Sequence, residues 1–398
     1  MTILLRNCRL LPELSGGYGG EADILVREGR IALISRPGAG AESGGAVDLE
    51  GRTVLPGFMD LHVHLAISGQ DMLADNAKPL PYRALESYKF ALDTLRAGFT
   101  TVRDVGDVSH IVVALRNMIR EKRLPGPRIL ASAKIITPSE PGNDYFQGMY
   151  SEANGPAAVR HAAREEFKAG ADFMKIMVSG AISNPGGEPG LTICEEDELR
   201  ELVRIARSRR SYVAAHCHSL DSIRLCLRCG VRTVEHATLL DGELIGQLKD
   251  SGTFLVPTMT GMMKLARTDH GFSGYMQEKS SSLMRDFISS LAAAYRAGLK
   301  LGFGTDSGTT DNFHGENGDE FLYRHEQIRM KPIDILLQAT VYSAQIAGID
   351  EETGSIEPGK CADLVVINGN PLDDVSLLKR GLHLVLRDGE IVHRPGLS

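Results

Sequence analysis

The sequence predicts an α/β fold: a (β/α)8 TIM-like barrel with a small β-sandwich module built from both chain ends. Three observations lead there. First, one joint recurs, in which a helical stretch stops at a glycine and an apolar strand follows at once. It appears at Gly98, Gly170, Gly230, Gly252 and Gly298. Glycine after a helix takes the left-handed conformation that a Cβ resists, so the repeat marks the helix-to-strand joints of one series. Second, eight candidate strands stand near Leu55–His64, Phe99–Val105, Arg128–Ile136, Phe173–Val178, Tyr212–Cys217, Thr233–Ala237, Thr253–Met259 and Leu301–Asp306. Helical apolar spacing fills most of the gaps, at Arg83–Ala97, Asp107–Lys122, Gly155–Ala169, Glu195–Arg210 and Leu283–Ala297. This alternation argues for a closed parallel barrel. A doubly wound open sheet would want a glycine-rich phosphate turn after its first strand, and none is seen. Third, both ends read as short strands split by turns: Ile3–Leu11, Asp23–Arg27 and Arg30–Arg36 at one, Ala362–Ile367, Leu382–Arg387 and Glu390–His393 at the other. Asp388-Gly389 is a hairpin signal, and the segment from Gly38 to Gly45 reads as a loose surface loop. The expected division is 1–54 plus 355–398 for the small module and 55–354 for the barrel.

Composition narrows the class. A chain of 398 residues has room for a barrel of about 250 residues and a smaller module. A net charge of −7 with no Lys/Arg block argues against nucleic-acid binding. The apolar runs are strand-sized, short of the roughly 18 residues that a membrane span needs. The N-terminus has no signal-peptide pattern. Six scattered cysteines suggest free thiols and a cytoplasmic location.

The chemistry gathers at strand ends. His62-Val63-His64 closes the first barrel strand, and side chains at i and i+2 point to one face. An isolated His-x-His is as easily a chance pair on a polar face. Here His216 ends the fifth strand, His236 the sixth and Asp306 the eighth. Barrel active sites sit at the C-terminal ends of strands, so these five side chains would surround one point. Imidazole and carboxylate together suit zinc and related divalent ions. Lys175 lies inside the apolar fourth strand, where a buried ammonium is costly unless paired or chemically altered. An ion pair with a carboxylate such as Asp306 and a carbamate formed with carbon dioxide are both open readings.

Taken together, Pro56-Gly-Phe-Met-Asp-Leu-His62-Val-His64, Gly98-Phe-Thr-Thr-Val-Arg-Asp104, Met174-Lys175, Ala215-His216, Glu235-His236, Gly304-Thr-Asp306-Ser-Gly and Gly354-Ser-Ile-Glu-Pro-Gly-Lys-Cys-Ala-Asp363 resemble the amidohydrolase superfamily nearly end to end. The chain looks like the branch of Xaa-Pro and Xaa-Arg/Lys dipeptidases and imidazolonepropionase-related proteins. The resemblance implies two divalent ions, most simply zinc. His62, His64 and Asp306 would hold one, His216 and His236 the other, and carboxylated Lys175 would bridge them. It implies hydrolysis of an amide C–N bond in a dipeptide, an N-acyl amino acid or a related small amide by a bridging hydroxide, with Asp306 as the catalytic proton carrier. It also implies a homo-oligomer.

Substrate residues depart from the dipeptidase pattern. The loop after the third strand reads Thr137-Pro-Ser-Glu-Pro-Gly-Asn143-Asp144 and lacks the histidine expected there. His218 stands where a tyrosine often follows the fifth-strand histidine. Asn143, Tyr145, His218 and His314 are the substrate-binding candidates. A loop packing on itself, or an imidazole hydrogen-bonded in its loop, would explain them equally well. Arg103-Asp104 reads as support for the site. Cys217 reads as core, and Cys226 and Cys229 as helix packing. A mononuclear hydrolase or deaminase of a cyclic amide or amidine is the alternative function, and a non-catalytic barrel relative a third reading.

Overall fold

A computed structural model describes residues 2–38, 45–267 and 274–394. Most of the Gly38–Gly45 loop lies outside the described residues. The chain opens with β1 (Thr2–Leu10), β2 (Gly20–Arg27), β3 (Arg30–Ser35), β4 (Gly45–Asp48) and β5 (Thr53–Pro56). It continues through β6 (Phe58–Val63), β7 (Phe99–Asp104), β8 (Arg128–Ala131), β9 (Ile135–Thr137), β10 (Tyr150–Glu152), β11 (Met174–Met177), β12 (Val213–Cys217), β13 (Thr233–His236) and β14 (Phe254–Val256). It ends with β15 (Leu364–Ile367), β16 (Leu382–Arg387) and β17 (Glu390–His393). By internal contacts the chain divides into two compact units, Met1–Asp60 with Leu92–Thr101 and Gly315–Ser398, and Leu61–Ala91 with Val102–His314.

The terminal strands form one sheet, ordered β17-β16-β15-β5-β1-β2-β3, with β4 beside β1. Leu5, Ile24, Val54, Leu364 and Leu386 lie in its buried apolar cluster. The β16–β17 hairpin turns at Asp388 (φ 49°) and Gly389 (φ 74°), the left-handed pair that a tight hairpin requires. In the same unit, Phe58 packs on Phe99 and Phe321 at ring distances of 5.6 and 5.0 Å. Phe58→Ala should cost about 3–5 kcal/mol, read from urea unfolding. A loss below 1 kcal/mol would show that this cluster is not a packed core.

The parallel strands run β10-β9-β11-β12-β13-β14, and β6-β7-β8 form a third sheet. Helices fall between them at Leu80–Arg96, Ile111–Arg120, Pro156–Ala169, Glu196–Ser208, Leu220–Cys229, Gly242–Ser251 and Gly274–Arg296. The five joint glycines all have φ between 70° and 111°.

Three expected strands are corrected. Leu55–His64 breaks at Gly57, where a Cβ would lie 2.1 Å from Thr100 Oγ1. β5 joins the terminal sheet, with Leu55 opposite Val365, and β6 pairs with β7 instead. Arg128–Ile136 splits into β8 and β9 around Ala133, whose φ of 59° interrupts extended backbone. Leu301–Asp306 is not a regular strand. Its backbone still pairs on both sides: Gly302 N donates to Leu255 O, and Leu61 N and His64 N donate to Phe303 O and Ser307 O. No helix among the described residues is long and apolar enough to cross a membrane.

Candidate active site

Parallel register places the inward side chains. Lys175 pairs with Ala214, and His216 with both Met177 and Glu235, so Lys175, His216 and Glu235 share one face. Strict alternation would turn His236 away from Glu235. Instead His236 has φ 66° and Ala237 φ 52°, and the strand kinks as it ends. Asp306 is likewise left-handed at φ 64°. Such backbone costs on the order of 1–3 kcal/mol per residue and concentrates at functional sites.

Two triads result, His62/His64/Asp306 and His216/His218/His236, each with its candidate ligand atoms within 4.8 Å of one another. His62 and His236 join them, with ring centroids 4.7 Å apart. His62, His64, His216, His218 and His236 are all buried. His62 Nδ1 faces Glu235 Oε2 at 2.8 Å, and His64 Nδ1 faces Gly106 O at 3.2 Å. Those oxygens only accept, so both Nδ1 atoms carry the proton and a neutral ring turns its Nε2 lone pair inward. These Nε2 atoms stand 3.3 and 3.4 Å from Asp306 Oδ1. Lone pairs facing a carboxylate oxygen call for a cation between them. Tetrahedral zinc, with bonds of about 2.0–2.1 Å, spaces its ligand atoms by about 3.3–3.4 Å. The donor set therefore fits a divalent metal.

In the second triad His218 Nδ1 meets Thr238 Oγ1 at 2.7 Å and His236 Nδ1 meets Thr258 Oγ1 at 2.8 Å, while His216 is anchored through Nε2 to Gly180 O at 3.3 Å. Burial depresses the basicity of His64, His216 and His236, and brings His218 down to about 3. Neutral imidazole is the form that ligates metal. His218, expected to touch substrate, thus sits with His216 and His236. Gly106 and Gly304 permit the crowding: a Cβ would lie 2.8 Å from His64 Nδ1 and 2.9 Å from His62 Cβ respectively.

Lys175 is buried, and among the described residues its ammonium makes no hydrogen bond or ion pair. The ion pair with Asp306, one of the two open readings, is therefore not made among the described residues. Burial lowers its pKa to about 8, against the pull of Glu235 and Asp306, so part of the amine is neutral near physiological pH.

Glu235 is the residue that sequence reasoning missed. Arg103 Nη2 donates to Glu235 Oε1 at 2.7 Å, Arg103 Nε to Leu61 O at 2.7 Å and Arg103 Nη1 to Thr233 Oγ1 at 3.1 Å. Both charges are fully buried. Burial opposes the Glu235 charge, but Arg103 first and His62 next hold its pKa at about 2. The chain Arg103–Glu235–His62 fixes the ring and its tautomer, as carboxylate–histidine partners do at metal sites. The available signal was two opposite charges in apolar strands. Asp104 supports the loop after His64 by accepting from Leu65 N at 2.7 Å.

Above the histidines opens a cavity of about 710 Å³, its mouth included. Phe146, Met149 and Tyr150 line it, whereas Asn143, Tyr145 and His314 do not. Asn143 Nδ2 holds the loop by donating to Pro138 O and Glu152 Oε1. Tyr145 Oη meets Asp71 at 3.4 Å. His314 Nε2 meets Ile67 O at 2.9 Å, and its ring stacks on Phe90. Asn143 is thus engaged within its own loop, and Tyr145 and His314 with segments distant in sequence. Cys217 is buried with its Sγ 3.3 Å from Cys226 Sγ, and all six thiols are free.

Parallel strands carry a histidine–carboxylate cluster at their ends, a candidate site for a divalent ion. Residues 53–392 match the amidohydrolase family, and the chain belongs to it. It is similar to a solved Xaa-Pro dipeptidase with bound methionine, at 30% identity, TM-score 0.89 and coverage of 98% and 99% of the two chains. A prolidase solved with N-methylphosphonate-L-proline is also 30% identical, at TM-score 0.90 and coverage of 99% and 100%. Ochratoxinase of Aspergillus niger is 23% identical, over 87% of this chain and 76% of that protein. The protein is an enzyme acting on carbon–nitrogen bonds.

Proposed function

We propose that this chain is a binuclear metal-dependent hydrolase of amide C–N bonds in small molecules. The observation that carries the reading is the pair of ligand triads meeting at His62 and His236. A closed (β/α)8 barrel over 55–354 is supported by the pairing of segment 301–307 with both β14 and β6. In this reading the terminal segments, 1–54 and 355–398, make the small β-sandwich by folding their single sheet over its buried apolar cluster. The dipeptidase and prolidase among the similar structures support amide cleavage.

His62, His64 and Asp306 would hold one ion, and His216 and His236, with His218 beside them, the other. Zinc suits this donor set. When bound, the ions supply the positive charge that acidifies a water and polarises the substrate carbonyl. Lys175 is the candidate bridging ligand as its carbamate: the neutral amine forms an N–C bond with carbon dioxide and loses a proton. Asp306 takes the proton of the attacking water and returns it to the departing amine, so one C–O bond forms as the C–N bond breaks. Arg103 and Glu235 keep His62 in place throughout.

Chelator-stripped protein should lose turnover of a small-amide library and regain it with zinc, with His62→Ala as the blank. Equal activity in stripped and loaded protein would overturn the reading. With 13C-bicarbonate, a carbamate resonance should appear in the native protein and vanish in Lys175→Ala. A resonance that persists in the variant, or is missing from the native protein, would remove the bridging role.

A further inference from the structure

The cavity walls bear on which amide is taken. Phe146, Met149, Ile182, Met262, Leu265 and Phe287 form an apolar surface over the histidine cluster. Among the described residues lining the cavity, Lys175 is the single formal cation, and it sits in the ligand cluster. Neighbouring cations are engaged elsewhere: Lys279 Nζ donates to the backbone oxygens of Asn184 and Gly187, and Arg267 lies 4.0 Å from Asp311. Outside the ligand cluster the polar lining is neutral. Thr238 and Thr258 hold histidines, Thr309 Oγ1 donates to Asp306 O at 2.6 Å, and the Tyr150 hydroxyl has no partner among the described residues.

A carboxylate moved from water into such a wall loses its hydration and gains no counter-charge, whereas an aryl or branched alkyl group gains by burial. A dipeptide or N-acyl amino acid carries its carboxylate beyond the scissile nitrogen, away from the ligand cluster. We infer that this site selects uncharged amides with an apolar substituent beyond the scissile bond, and rejects substrates bearing a free carboxylate there. Tyr150 is the neutral hydrogen-bond donor or acceptor available to such a substrate. The inference rests on reading the site as an amide hydrolase.

The test is a matched pair offered to zinc-loaded protein: benzanilide, and N-benzoyl-4-aminobenzoate, which adds one carboxylate to the leaving aniline. The expected kcat/KM is at least tenfold higher for the neutral compound. Equal rates, or preference for the anion, would overturn the inference. If neither turns over, calorimetric binding decides. Neutral binding tenfold tighter sustains the pocket inference while counting against hydrolysis, and equal binding or none overturns it. Leu265→Arg, at a half-buried lining position, should shift the preference at least tenfold toward the carboxylate. A folded variant with no shift would count against the wall as the selector.

Discussion

Asp306→Asn should lower kcat by about 10²–10⁴-fold with the fold retained. The substitution removes the charge facing His62 and His64 and the base that carries the proton, and leaves the volume unchanged. Asparagine also tolerates the left-handed backbone that Asp306 adopts at φ 64°, which alanine would strain. Asn is therefore the cleaner test. The check is kcat at saturating zinc beside a thermal melt. Activity above one tenth of the native value in the folded variant would remove Asp306 from the proton transfer.

Arg103→Met should cost about 3–5 kcal/mol of stability, a large effect for a residue outside the ligand set. It leaves the Glu235 carboxylate buried without its counter-charge and strips donors from Leu61 O and Thr233 Oγ1. It also removes the guanidinium that lies 5.3 Å from the centre of the Phe173 ring. The double variant Arg103→Met with Glu235→Gln should recover part of that loss, because no unpaired charge remains. Glu235→Gln alone should weaken zinc binding by about 10–100-fold, since His62 loses the carboxylate that orients it. Urea unfolding and zinc titration read the two effects separately. A loss under 1 kcal/mol for Arg103→Met would mean that water reaches the pair.

Much of this was legible beforehand because it is local. Glycines at helix-to-strand joints, Asp388-Gly389 at a hairpin and histidines at strand ends are short-range signals. They needed no knowledge of what packs against them. The strand errors came from single residues whose surroundings decide their backbone: Gly57 beside Thr100, and Ala133 and Asp306 at positive φ. Propensity cannot show such kinks, since each is sustained by contacts distant in sequence.

By itself, the sequence determined the alternating α/β order, the family resemblance and the candidate ligands His62, His64, His216, His236 and Asp306. Residue type and position on a strand suffice for those. Only the tertiary structure decided that Glu235 and Arg103 meet behind His62, that His218 joins His216 and His236, and that Asn143, Tyr145 and His314 are engaged away from the cavity. It also decided that Lys175 makes no ion pair among the described residues and that the cavity wall is apolar. These depend on which side chains face one another across strands and loops far apart in the chain. That is a property of packing, which a linear pattern does not encode.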